Sequence, residues 1–387
     1  MRLPGWFTER VEPAPAEGEL RVSTLELFFD LVFVFTVTQL TSLLADGLQD
    51  GRPLEGALRV LLVFGVIWWM YAGYAWLTNV VPPVRPARRV LTLLGMAGFM
   101  IVALSIPSVF DGDGVAFAIG YLLLITVHAG LYLQATSAFA RVIPFNLCGV
   151  ALIGVASFVG APYNYLLWGA AVLLLWGSPY FIGQKGFALK AAHIVERHGL
   201  LVIVVLGESI VAIGIGAKGL HIGFTLGLAA TLGLALTACL WWIYFGGDDE
   251  PRAEHALAGA EPVRRTRLIL GAYFYAHIPI LLGVVAVAAG VKKLIGHPVD
   301  PLKPSAAVTL AVGVALFLAG NAWFRRVLGI TGNRLRNGGA LISLVTVALG
   351  LWSALAQLTA LVALVAMVIV LERRSAPRGH VLEPAGH

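Results

Sequence analysis

Charge is what this sequence has least of. Only 12% of its 387 residues are Asp, Glu, Lys or Arg, where a soluble domain carries roughly a quarter. Cysteine is almost missing. Cys148 and Cys239 both sit inside apolar runs, which excludes a disulfide framework or a paired-cysteine metal site and reads as packing. The first 24 residues lack the apolar stretch of a signal peptide and hold four Glu, three Arg and three Pro instead. Long polar segments are absent too. The longest connections, near 183–198 and 246–266, leave no room for a soluble catalytic domain. Any chemistry must lie within a helical bundle or on its rim.

What is present is apolar: 59% of the chain is hydrophobic. A soluble protein of this length would expose large apolar patches, whereas a bilayer removes that difficulty. The sequence therefore predicts an all-α, polytopic helical membrane protein. A bilayer core takes about 20 apolar residues of helix. Such runs fall near 25–46, 54–78, 89–110, 115–140, 143–161, 164–182, 199–217, 222–245, 267–290 and 305–327. The stretch 338–371 has no charge, and as one helix would be about 51 Å long. Splitting it near Trp352–Gln357 gives about twelve transmembrane helices.

The net charge of +6 follows membrane sidedness rather than a nucleic-acid partner. With the N-terminus inside, 21 Arg and Lys fall on that side, Lys185 and Arg378 among them, and five on the other. The excess predicts that both termini are cytoplasmic. The expected organisation is a tail over 1–24, a six-helix repeat over 25–182, a cytoplasmic connector over 183–198, a second six-helix repeat over 199–371 and a tail over 372–387.

The two repeats rest on signals that recur in order. Glu26 and the apolar run after Asp30 can be laid on Glu196 and the run after Leu200, at an offset of 170. Trp68-Trp69-Met-Tyr71-Ala-Gly73 matches Trp241-Trp242-Ile-Tyr244-Phe-Gly246, and Arg88-Arg89 with Gly95 matches Arg264-Arg265 with Gly271, at offsets of 173 and 176. Six spans separate the copies, so the repeats are parallel, related by an axis along the membrane normal. In such proteins the pathway runs between the halves near the midplane.

Polar groups inside the apolar runs are the candidate functional residues, because each costs free energy to hold there. Glu208 is the sharpest. Counted from 199 it lies about 14 Å into its helix, near mid-bilayer. There it needs a polar cavity, a partner or a proton, and could carry a proton or bind a cation. Its bland reading is a structural hydrogen bond. Glu26 and Asp30 share a helix face one turn apart and with Glu196 form an acidic entrance, although acids also favour a first helical turn, which Ser23 or Thr24 would cap. Arg197 neutralises Glu196 or Asp30, with His193 and His198 in the same rim cluster. His128 and His277 lie near mid-depth and could relay protons or only join helices. Pro279 after His277 would free backbone carbonyls. Gln39 and Ser209 could line the pathway. The spacing of His193, Glu196 and His198 is not that of a zinc-protease helix, so no metal is expected. No haem-ligand pattern accompanies the histidines, so no cofactor is expected either. The Trp68-Trp69 and Trp241-Trp242 pairs read as interfacial anchors, and Asp248-Asp249-Glu250 as a solvated loop end.

Two motifs carry a family resemblance: Leu25-Glu26-Leu-Phe28-Phe29-Asp30-Leu-Val-Phe33-Val34-Phe35 with Gln39-Leu40, and Glu196-Arg197-His198-Gly199-Leu200 leading to Val205-Leu206-Gly207-Glu208-Ser209-Ile210. Over almost the whole chain the sequence resembles the bacterial low temperature requirement A family. The resemblance implies a many-spanning bacterial plasma-membrane protein and singles out Glu26, Asp30, Glu196, Arg197, Gly207, Glu208 and Ser209. It implies little about chemistry, since the family takes its name from growth in the cold. Phe28-Phe29-Asp30-Leu-Val-Phe33 with Thr38 also resembles the Phe-Ser-Asp signature of the lysosomal potassium/proton channels. Phe29 replaces the serine, however, and the second half lacks the motif.

Three functions compete. The leading expectation is a proton-coupled secondary transporter of a small solute or ion, coupled through Glu208. The second is a cation or proton channel lined by the first helix of each repeat. The third is a non-transporting scaffold or an enzyme. The enzyme reading is disfavoured, because Ser209 beside Glu208 is the only nucleophile–base hint and adjacent helix residues point apart. The partners expected are the lipid bilayer and a small solute, proton or cation, with no nucleic acid. A homo-oligomer is left open.

Overall fold

A computed structural model describes residues 21–375 apart from 135, 184–186 and 188, without the side chains of 137 and 138. Most of both tails, Lys185 and Arg378 therefore lie outside the described residues. Among those described the chain is all-helical, with 11 helices long and apolar enough to cross a membrane.

The first half comprises α1 (Thr24–Gln49), α2 (Pro53–Val80), α3 (Pro86–Ser105), α4 (Gly114–Tyr132), α5 (Ile143–Ala156) and α6 (Tyr163–Ile182). The second half begins with α7 (Ala191–Gly216) and α8 (Phe224–Phe245), followed by the short α9 (Asp249–Ala258). One long span then runs as α10 (Pro262–Ile269), a π-helical turn (Leu270–Tyr275) and α11 (His277–Gly296). The chain ends with α12 (Pro304–Val327), α13 (Arg334–Val345), α14 (Val347–Gly350) and α15 (Ala354–Ser375).

Local sequence explains the boundaries. Ser23 caps α1 in a capping box with Glu26. Proline opens α2, α3, α10 and α12 in the first turn, where its missing N–H costs nothing. The apolar stretch 338–371 is broken at Leu351–Ser353, as its length requires. The first N–H groups of α15 have no partner within their own helix. Those of Ala354 and Leu355 donate instead to the carbonyls of Asp300 and Pro298, both 3.0 Å away.

Helix α7 starts at Ala191, eight residues before the expected start at 199. The charges between 191 and 198 read as a loop because their partners lie on other helices. The earlier start moves Glu208 to about 26 Å from the helix start, past the middle of a 26-residue helix.

The two halves pack by similar pairings. In the first, α1 packs on α2 and α3, α3 on α4, α4 on α5, and α2 on α6. In the second, α7 packs on α8 and α11, α11 on α12, α12 on α13, and α8 on α15. The halves meet where α1 packs on α7 and α11.

Candidate functional site

The α1–α7 contact begins with a buried ionic cluster. Asp30 is fully buried, and Glu26 and Arg197 nearly so. Arg197 Nη2 donates to Asp30 Oδ1 at 2.9 Å, and its Nη1 stands 3.5 Å from Glu26 Oε1. The Tyr71 hydroxyl donates to Asp30 Oδ1 at 2.8 Å. Glu26 is divided: Oε2 accepts from the backbone and hydroxyl of Ser23, both at 2.8 Å, while Oε1 meets His193 Nε2 at 3.0 Å.

Asn79 fixes the tautomer of His193. Its Oδ1 accepts from the Lys190 N–H at 2.9 Å and its Nδ2 donates to the Lys190 carbonyl at 3.0 Å, so the backbone sets the amide orientation. The remaining Nδ2 hydrogen points to His193 Nδ1 at 3.2 Å. Nδ1 therefore accepts, and Nε2–H donates to Glu26. In this arrangement two carboxylates face one guanidinium. Among the described residues Asp30 Oδ2 is buried without a hydrogen-bond partner.

Glu208 lies further along the same contact and is 1% exposed. Its Oε2 accepts from the Thr38 hydroxyl at 2.5 Å. Among the described residues it makes no ion pair; Lys292 on α11 acts on it electrostatically from beyond ion-pair distance. Among the described residues Glu208 does not line the cavities around Trp69, Tyr180, Leu54 or Asp248. Ser209 is buried with an unpartnered hydroxyl, and Gln39 is half-buried.

The remaining candidates separate. Glu196 is exposed and accepts from the Val22 N–H at 3.1 Å, so Arg197 serves Asp30 and Glu26 rather than Glu196. His198 is turned away from His193, with Nδ1 bonded to the Ile194 carbonyl at 2.9 Å. His193, Glu196 and His198 therefore do not converge on one point. His198 stacks edge-on against His277, with ring centroids 5.3 Å apart. His277 Nδ1 bonds the Ala272 carbonyl at 2.8 Å, so its Nε2 accepts from the Tyr244 hydroxyl at 2.9 Å. The π turn before Pro279 supplies that carbonyl and also the Phe274 carbonyl, to which Trp68 Nε1 donates at 3.1 Å. His128 is buried within the first half, away from the α1–α7 contact.

Three expectations need correction. Trp68 is fully buried and Trp69 partly so; with both indole N–H groups bonded inside the bundle they are not interfacial anchors, whereas Trp241 and Trp242 are exposed. Cys148 is exposed on α5 rather than packed. In the Asp248-Asp249-Glu250 run only Asp248 is exposed. Asp249 is buried within 3.4 Å of Arg336 and 3.6 Å of Arg325, and Arg336 also holds Glu372 through bonds of 2.9 and 3.1 Å. Sequence reasoning missed this second ionic cluster because its members come from α9, α12, α13 and α15.

The model of the family described as bacterial low temperature requirement A protein (LtrA) matches residues 21–372. The chain belongs to this family. The match takes in both motifs and every helix of the α1–α7 contact. The chain is also similar to the uncharacterized protein RA0937 of Rhizobium meliloti (strain 1021), at 28% identity over 335 residues, covering 80% of this chain and 78% of that one.

Proposed function

We propose that this membrane protein is a proton-coupled secondary transporter of a small solute or ion, with its working contact between α1 and α7. The hydrogen bond from Thr38 to Glu208 supports the reading best. Its partners are 170 residues apart, the spacing that also lays Glu26 over Glu196. In two parallel repeats, equivalent residues touch only where they straddle the axis relating the halves. The bond thus marks where that axis would run, and pathways in such carriers lie there. The similar helix pairings of the two halves support the same architecture.

The chemistry follows from the contrast between the acids. Asp30 and Glu26 have a guanidinium beside them; Glu208 has the Thr38 hydroxyl and, among the described residues, no cation within ion-pair distance. A buried carboxylate without a cation holds a proton or draws in a cation when water reaches it. Its burial here corresponds to a closed state and favours a carrier over an open pore. The Arg197 cluster would act as the gate at the rim, on the cytoplasmic side of a bacterial plasma membrane by the arginine and lysine excess.

The test uses proteoliposomes with an entrapped pH indicator. A panel of inorganic cations, amino acids and aromatic solutes is added under an imposed pH gradient. The wild type is expected to move protons with one class of solute, and Glu208→Gln to lose that coupling. Equal, gradient-independent traces from both proteins would overturn the reading, as would unitary channel conductance in planar bilayers.

A further inference from the structure

A cavity of about 90 Å³ that the α1–α7 contact does not use lies between helices of the first half and the α10–π turn segment of the second. Trp69 and Trp76 from α2, His128 and Tyr132 from α4, Asn146 from α5 and Phe274 from the π turn are among its lining residues. Gly183 and Thr266 also line it. They lie at the end of α6 and on α10, so the cavity reaches from the membrane interior toward the face where α7 begins.

Its lining is chemically selective. Among the described residues no Asp, Glu, Lys or Arg lines it, and an ion there would lose its hydration without compensation from them. Yet it is not purely apolar. His128 and Tyr132 are 3% and 1% exposed, and neither His128 Nδ1 nor the Tyr132 hydroxyl has a hydrogen-bond partner among the described residues. Buried polar groups in native structures are almost always satisfied, so two unpartnered groups in one cavity call for a guest that bonds them. A neutral imidazole offers one donor and one acceptor, and a phenol hydroxyl can do either.

The walls suit a flat guest. Trp69 is held by its Nε1 bond to Asn146 Oδ1 at 2.8 Å. His128 packs against Phe139 with centroids 4.9 Å apart, and Tyr132 against the same ring at 4.6 Å. Such rings favour edge and offset contact with another aromatic ring. The glycine that follows the tryptophan pair has a role as well: a Cβ on Gly73 would come within 3.2 Å of His128 Nε2.

We infer that this cavity is a binding site for a small, neutral, aromatic molecule carrying one hydrogen-bonding group, which His128 and Tyr132 recognise. The inference stands whether or not the protein is a transporter, because it concerns equilibrium binding away from Glu208.

The test is fluorine NMR on full-length protein in lipid nanodiscs, with para-fluorophenol and para-fluorotoluene as probes and empty nanodiscs as control. Fluorophenol is expected to give a saturable bound signal, with fluorotoluene about tenfold weaker, the typical effect of one buried hydrogen bond. His128→Leu is expected to weaken fluorophenol about tenfold and leave fluorotoluene unchanged. Ala72→Leu, which fills the cavity without touching a polar group, is expected to abolish both signals. No saturable signal from the wild type would overturn the inference whichever variants fold. So would equal affinity for the two probes, or displacement of bound fluorophenol by tetramethylammonium.

Discussion

Arg197 sits within reach of two buried carboxylates, and little of its charge reaches water. Replacing such a pair by matched apolar groups can be neutral, but removing one partner strands the others. Arg197→Met is therefore expected to destabilise the protein by about 3–5 kcal/mol, read as a lower midpoint of thermal unfolding in detergent. Adding Glu26→Gln and Asp30→Asn should recover much of the loss. If the single substitution leaves the midpoint unchanged, the cluster does not hold α1 to α7. The charged part of this cluster was legible in the sequence. Glu26, Asp30, His193 and Arg197 stood out because charge in an apolar run costs free energy. Tyr71 and Asn79 did not, because polar neutral residues are common in membrane helices. Their spacing of eight puts them on one face of α2, which was the only available signal.

At the scale of elements, α11 and α12 approach closely enough to bring backbone against backbone. A Cβ on Gly283 would lie 2.7 Å from the Gly313 carbonyl oxygen, and one on Gly313 would lie 2.7 Å from the Val287 nitrogen. Small residues permit this approach in bilayers, where packing rather than hydrophobicity joins helices. Gly283→Ala is expected to lower the thermal midpoint clearly. Gly227→Ala on α8, where a Cβ meets nothing within 4 Å, is expected to leave it equal or slightly raised, since alanine favours a helix by about 1 kcal/mol. Similar midpoints for the two would argue against the tight seam. The order of the helices was legible from hydropathy and length, but their number was not. About twelve spans were expected, and among the described residues eleven helices are long and apolar enough to cross a membrane, because the segment before Leu351 is broken into the short α13 and α14. The start of α7 was not, because residues 191–198 look soluble until their partners on α1 and α2 are known. The π turn was legible only as a disturbance expected near Pro279.

Over the whole molecule, the start of α1 and the end of α15 lie on one face, with the start of α7 and the second ionic cluster. Val22 reaches Glu196, and Glu372 reaches Arg336. We propose, from the arginine and lysine excess, that this face is the cytoplasmic one. In a variant with Cys148 and Cys239 replaced, Lys218→Cys is expected to react with an impermeant maleimide on intact cells, and Arg252→Cys only after lysis. The reverse pattern would invert the topology. The ionic network at Asp249 shows why function could not be read from composition: Asp249, the arginines Arg325 and Arg336, and Glu372 come from well-separated parts of the second half and meet only in the fold.

We propose that Glu208, buried beside Thr38, exchanges a proton with water during the working cycle. Infrared difference spectroscopy of the reconstituted protein across a pH titration tests it directly. The expected result is a carboxylic-acid carbonyl band that fades as pH rises and is missing from Glu208→Gln. Identical difference spectra from the wild type and Glu208→Gln would contradict it.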